Sequence, residues 1–82
     1  MTPEQEQLAI EACKSDLSKF NILYKEYVED VYRYAYSIVG NKNETEEIVS
    51  ETFLKALQSI KTYQYKGKPL KHWLFIISRN VI

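Results

Sequence analysis

Cysteine, glycine and proline are scarce in this chain of 82 residues, and acidic residues are missing altogether after Glu51. The one cysteine, Cys13, excludes an internal disulfide and a multi-cysteine zinc site, and fits a reducing compartment. Two glycines and two prolines argue against a sandwich or barrel, which needs many tight turns. No apolar run approaches the ~18 residues of a membrane span. The start, Met1-Thr2-Pro3-Glu4, is acidic rather than signal-like, so a cytoplasmic protein without direct membrane insertion is expected. A single histidine, no glycine-rich phosphate loop and no paired His or Cys ligands leave catalysis without support. The acidic cluster Glu44, Glu46, Glu47 and Glu51 invites a metal, yet carboxylate-bundle sites pair a Glu with a His three residues on, and none here has one. An enzyme, a small-molecule substrate, a cofactor and a metal are therefore not expected.

What is present is an ordinary globular balance, 45% apolar and 27% charged, enough for one small domain. The formal net charge of zero hides a segregation. Residues 1–51 hold all eleven acids and five bases, a net −6. Residues 52–82 hold Lys55, Lys61, Lys66, Lys68, Lys71 and Arg79 and no acid, a net +6. Such a split suggests two surfaces for two kinds of partner, one of them a polyanion.

Periodicity predicts four helices. The first follows Pro3, which has no N–H to leave unpaired at an early helical position. Its apolar stripe is Leu8, Ala9, Ala12 and Cys13, and Ser15-Asp16 supplies a turn and the next cap. The second is long: Phe20, Leu23, Tyr24, Tyr27, Val28, Val31, Tyr34, Ala35, Ile38 and Val39 recur at three- and four-residue steps, and Gly40-Asn41 stops it. Asn43 is the predicted N-cap of the third, whose buried face is Ile48 or Val49 with Thr52, Phe53, Ala56, Leu57 and Ile60. Lys61 to Lys68 reads as a loop, and Pro69 opens a fourth helix with Leu70, Trp73, Leu74, Ile77 and Val81 on its apolar side. The expected fold is all-α, a compact four-helix domain: a short N-terminal helix, a long amphipathic helix, an acidic helix and a C-terminal helix carrying the tryptophan. The apolar period is still running at Val81-Ile82, which gives the expectation that the chain is a fragment.

Two stretches carry the functional signal. On the acidic helix, Glu47, Ser50, Glu51 and Leu54 share one stripe opposite Phe53. It is either a docking patch for a basic helix or a solvated face with one stray leucine. From Lys61 to Asn80, Tyr63, Tyr65, His72 and Trp73 interleave with Lys61, Lys66, Lys68, Lys71 and Arg79. Cations track phosphates and aromatic faces stack on unpaired bases, so the mixture suits single-stranded nucleic acid. Trp73 falls on the apolar period and reads as core. Tyr63 and Tyr65 lie in the loop and are freer to meet a ligand, and His72 reads as a surface residue. The Asn80 amide is either solvent-exposed or a reader of a base edge.

The segment Trp73-Leu74-Phe75-Ile76-Ile77-Ser78-Arg79-Asn80 resembles the W-L-aromatic-x-I-x-R-N helix of bacterial sigma factors of the extracytoplasmic-function (ECF) group. Glu44 to Leu54 is similar to that group's D-A-E-D-L-V-Q-E-x-F-L segment. Phe20 to Tyr27, followed by Val31-Tyr32-Arg33-Tyr34-Ala35, is similar to its F-x-x-L-Y-x-x-Y…V-Y-x-x-A opening. The resemblance implies that residues 1–82 are the second conserved region of such a factor, with the C-terminal DNA-binding domain absent. It assigns Glu47, Ser50, Glu51 and Leu54 to core RNA polymerase, on the clamp helices of the largest subunit. It assigns Tyr65, Lys66, Gly67, Lys68, Leu70, Lys71, His72 and Asn80 to the non-template single strand of the promoter minus-ten element, and the interleaved Tyr63 and Arg79 join them on the DNA side. An anti-sigma factor is the further partner it implies. Ser50 stands in place of the usual Gln, the Tyr65 to Trp73 loop is one residue shorter than the common form, and Ile76 occupies a position that is frequently basic. The alternative is a helical protein-interaction module with an acidic partner-binding face and no specific DNA binding.

Overall fold

A computed structural model describes all residues from Met1 to Ile82 and contains four α-helices and no strand. Helix α1 spans Pro3–Ser15, α2 Phe20–Val39, α3 Lys42–Ser59 and α4 Leu70–Val81. Single 3-10 turns at Leu17–Lys19 and Ile60–Thr62 link α1 to α2 and extend α3.

Local chemistry fixes most of the boundaries. Thr2 and Gln5 form a reciprocal capping box across Pro3, satisfying two N–H groups that the helix start leaves unpaired. Asp16 ends α1 and starts the following turn, its carboxylate accepting from the Ser18 N–H at 3.0 Å and the Ser18 hydroxyl at 2.7 Å. Those bonds hold its pKa below the ordinary aspartate value. Gly40 closes α2 at φ +62°, a left-handed conformation that costs glycine no Cβ clash. The N-cap of α3 is Asn41, whose side chain accepts from the Glu44 N–H at 2.9 Å. The expected cap, Asn43, sits inside the first turn instead. The chain needs only Gly40-Asn41 to reverse, so the cap falls two residues earlier than the run of acids implied.

The two-residue connection makes α2 and α3 an antiparallel helical hairpin, with Phe20 and Tyr24 from the start of α2 edge-on to Phe53 of α3. The other two helices pack against this pair. The core gathers Ile10 and Cys13 from α1; Leu23, Tyr27 and Val31 from α2; Val49, Phe53 and Ala56 from α3; and Leu70 and Leu74 from α4. Burial pushes the Cys13 thiol up. Between α3 and α4 the buried hydroxyls of Thr52 and Ser78 meet at 3.0 Å.

The stripes differ from expectation in three places. On α1, Leu8 is 71% exposed and Ile10 is fully buried, because the inward row is Glu6, Ala9, Ile10 and Cys13. On α2 the buried row advances from Leu23 in strict steps of four to Ala35, leaving Tyr24 and Ile38 exposed on its flanks. Both Ile48 and Val49 are buried on α3, where either was expected.

Candidate functional site

The α3 stripe forms as its spacing requires. Glu47, Ser50, Glu51 and Leu54 line an open groove of about 720 Å³ together with Asn43 and Glu46, all of them exposed. Leu54, at 55% exposure, is the one apolar residue lining a carboxylate-rich face. Lys42 reaches Glu46 and Lys55 reaches Glu51, each at 3.9 Å, loose surface pairs that solvent screens. Glu47 has no cation within pairing distance. The groove can therefore offer an incoming cation one bare carboxylate and two weakly held ones, beside an apolar contact.

The basic third of the chain is arranged differently. Of the six basic side chains up to Lys55, four (Lys14, Arg33, Lys42 and Lys55) pair with acids. Lys61, Lys66, Lys68, Lys71 and Arg79 pair with none. Gly67, at φ +82°, lets the chain between Tyr63 and Leu70 turn tightly and present its lysines outward.

The DNA-side residues do not converge on one pocket. Tyr65, Gly67 and Lys71 line a cleft of about 300 Å³ against Glu6, Glu26, Tyr27 and Asp30. Tyr63 and Lys66 line a second one beside Trp73, and Asn80 a third on the other flank of the same tryptophan. His72 and Arg79 share a patch with Tyr34, Phe75 and Ile76, where Tyr34 stacks on Phe75 at 4.5 Å. Trp73 thus divides the face. Its indole is half-buried and lies 4.7 Å from the Tyr63 ring, so Tyr63 is a packed residue rather than a free loop aromatic. Burial, and then the Glu6 carboxylate, push the Tyr63 pKa up. Leu70 keeps its expected place on the apolar side of α4 but not the DNA-side role that the resemblance implies. Its side chain is 1% exposed and belongs to the core, because the first apolar residue after Pro69 is the one that seats α4. Its backbone is covered as well, so the residue offers the site no surface.

The sequence reading missed Glu6. This carboxylate is 4% exposed, accepts from the Tyr27 hydroxyl, and accepts from the Leu70 N–H at 2.9 Å. The signal was its place in the row Glu6, Ala9, Ile10 and Cys13, where an acid on an apolar stripe calls for a buried partner. The charge split along the chain is also blurred here. Glu6, Glu26 and Asp30, from the acidic part, lie against the basic loop.

No three His, Cys, Asp or Glu side chains are grouped to hold a metal, and no helix is long and apolar enough to cross a membrane. No solved structure gave a significant match. The chain is 41% identical over 76 residues to the ECF RNA polymerase sigma factor BldN of Streptomyces coelicolor, covering 93% of this chain and 29% of that protein. It is 34% identical over 62 residues to SigX of Bacillus subtilis, covering 76% and 31% of the two chains. It is 31% identical over 71 residues to SigL of Mycobacterium tuberculosis, covering 87% and 40%. Both are also ECF RNA polymerase sigma factors. The chain therefore spans about a third of the length of these curated relatives. The family model for sigma-70 region 2 matches residues 23–82, which hold α3, the lysine loop and α4 entire. This chain belongs to the sigma-70 region 2 family and is a region 2 domain of the ECF sigma factor kind.

Proposed function

We propose that this domain acts in transcription initiation by docking on core RNA polymerase through α3 and by binding and melting the promoter minus-ten element through the Tyr63–Pro69 loop and α4. It has no enzymatic activity of its own. The observation that carries the reading is the contrast in pairing. Every cation after Lys55 is unpaired, while the α3 face offers an exposed leucine among carboxylates. A basic helix pair, the clamp helices of the largest polymerase subunit, complements α3. Phosphates of a displaced strand complement the five free cations.

Melting needs no catalytic acid or base. Extruding a base costs a few kcal/mol, recovered when the unstacked base is held against protein. In this reading Lys66, Lys68, Lys71 and Arg79 hold phosphates, Tyr65, Gly67 and His72 face the strand, and Asn80 approaches a base edge beside Trp73. Tyr63 supports the indole. Leu70 contributes only by seating α4 in the core. Docking on polymerase raises the local concentration at the promoter, so weak DNA binding by the isolated domain suffices. An anti-sigma factor that covers either face would silence the domain.

The first test is binding of this chain to the isolated clamp-helix segment, with Glu47→Lys and Glu51→Lys combined as control. Binding is expected, and the double reversal abolishes it. A correctly folded domain that binds no clamp segment and shows no preference for single-stranded over duplex DNA would support the protein-interaction module instead.

A further inference from the structure

The loop is hydrogen-bonded at its two ends only, with the Tyr65 ring resting against the core between them. Between Tyr63 and Leu70 no backbone N–H is hydrogen-bonded within the protein. The first anchor is the Tyr63 ring on Trp73. The second is the start of α4, where Pro69 supplies no side-chain cap and a helix N-terminus has N–H groups in need of acceptors. The acceptor comes from 64 residues upstream: the Glu6 carboxylate of α1 takes the Leu70 N–H. The same carboxylate takes the Tyr27 hydroxyl of α2, so one buried group ties three helices at the base of the loop. No other buried residue is charged. Glu6 also lies outside residues 23–82, the part that matches the family model.

We propose that Glu6 is a positioning residue for nucleic-acid reading: by capping α4 from α1, it fixes where the Tyr65–Lys68 stretch sits relative to the strand it binds. This rests on the DNA-reading role proposed above. A loop without internal hydrogen bonds binds tightly only if its ends are pre-placed, because ordering it during binding costs conformational entropy. Glu6 does not touch the strand. It acts through Leu70 and through the cleft it shares with Tyr65, Gly67 and Lys71.

The test compares the chain with its Glu6→Ala, Glu6→Gln and Tyr27→Phe variants. One readout is amide hydrogen exchange residue by residue. The other is affinity for fluorescein-labelled single-stranded DNA of randomised sequence, with sequencing of the bound fraction for base preference. In Glu6→Ala the Leu70 amide should exchange at least about tenfold faster while amides in the middle of α2 and α3 keep their protection. Affinity should fall about tenfold and the base preference flatten, the scale of one lost hydrogen bond to a charged group. Glu6→Gln keeps a carbonyl acceptor and should recover affinity to within about threefold. Unchanged Leu70 exchange would overturn the proposal. So would a uniform loss of protection in all four helices accompanying the loss of affinity, since that marks a structural role only. If Glu6→Ala does not fold, Tyr27→Phe carries the test, because it frees the carboxylate on one side and should loosen Leu70 before the rest. Unaltered Leu70 exchange and base preference in that variant would overturn the proposal. If the unmodified chain binds no single-stranded probe, the DNA role falls, and the presenting role of Glu6 with it. That failure is distinct from one in which the chain binds but Glu6 substitutions leave binding and preference unmoved.

Discussion

Tyr27 is the residue at which packing and protonation are most closely coupled. Its ring lies in the core and its hydroxyl donates to the buried Glu6 carboxylate. Burial first, and then Glu6, push its pKa well above the ordinary tyrosine value. The raised value means that the folded state favours the protonated phenol. The stability this confers is complete below a pH of about 10, the unfolded tyrosine value, and is lost as pH rises through the higher folded value. Tyr27→Phe should cost about 2 kcal/mol at neutral pH, the scale of a hydrogen bond to a charged group. It should also flatten the alkaline decline. Urea unfolding from pH 7 to 11 measures both effects. An unchanged alkaline limb would show that another tyrosine governs it.

At the scale of elements, the α2–α3 hairpin depends on two adjacent residues with different jobs. Gly40 supplies the left-handed turn and Asn41 the cap. Asn41→Ala should destabilise the domain by about 1 kcal/mol, the usual worth of an N-cap. Asn43→Ala should cost nothing, because Asn43 is an exposed residue of the first turn and alanine is the better helix former. Thermal unfolding of the two variants side by side separates the positions. Equal losses would mean that the cap is shared. Because α3 carries the stripe proposed to dock on polymerase, this cap also fixes how far the Glu47 turn stands from the helix start.

For the whole molecule, the relevant quantity is how charge is distributed over a surface whose sum is zero. The unpaired lysines of the loop and the start of α4 predict salt-sensitive binding to single strands. Each phosphate neutralised contributes a slope of about −0.7 in log K against log salt. Replacing Lys66, Lys68 and Lys71 by alanine should therefore make the slope shallower by about 2. Fluorescence anisotropy across a salt series measures this. A slope unaffected by the triple change would move the phosphate contacts elsewhere. The acids Glu26 and Asp30 line a cleft with Gly67 and Lys71 and should weaken the pull of the nearby lysines on any polyanion.

Periodicity, capping residues and charge placed four helices, the α3 stripe and the basic loop, because each is a local pattern written in neighbouring residues. Phe20 to Ala35 at three- and four-residue steps can make little but an amphipathic helix, and the spacing of Glu47, Ser50, Glu51 and Leu54 puts them on one face in any α-helix. Three things were not local. The choice of Ile10 over Leu8 depended on which side of α1 met its neighbours. The capture of Tyr63 by Trp73 depended on how the loop closed. The role of Glu6 required a contact across 64 residues, and a carboxylate goes inside only where the fold brings it donors. The sequence by itself determined the elements and the faces they carry. Tertiary structure alone decided which side chains those faces spend on the core and which remain for a partner, because burial belongs to contacts between elements and not to any one of them.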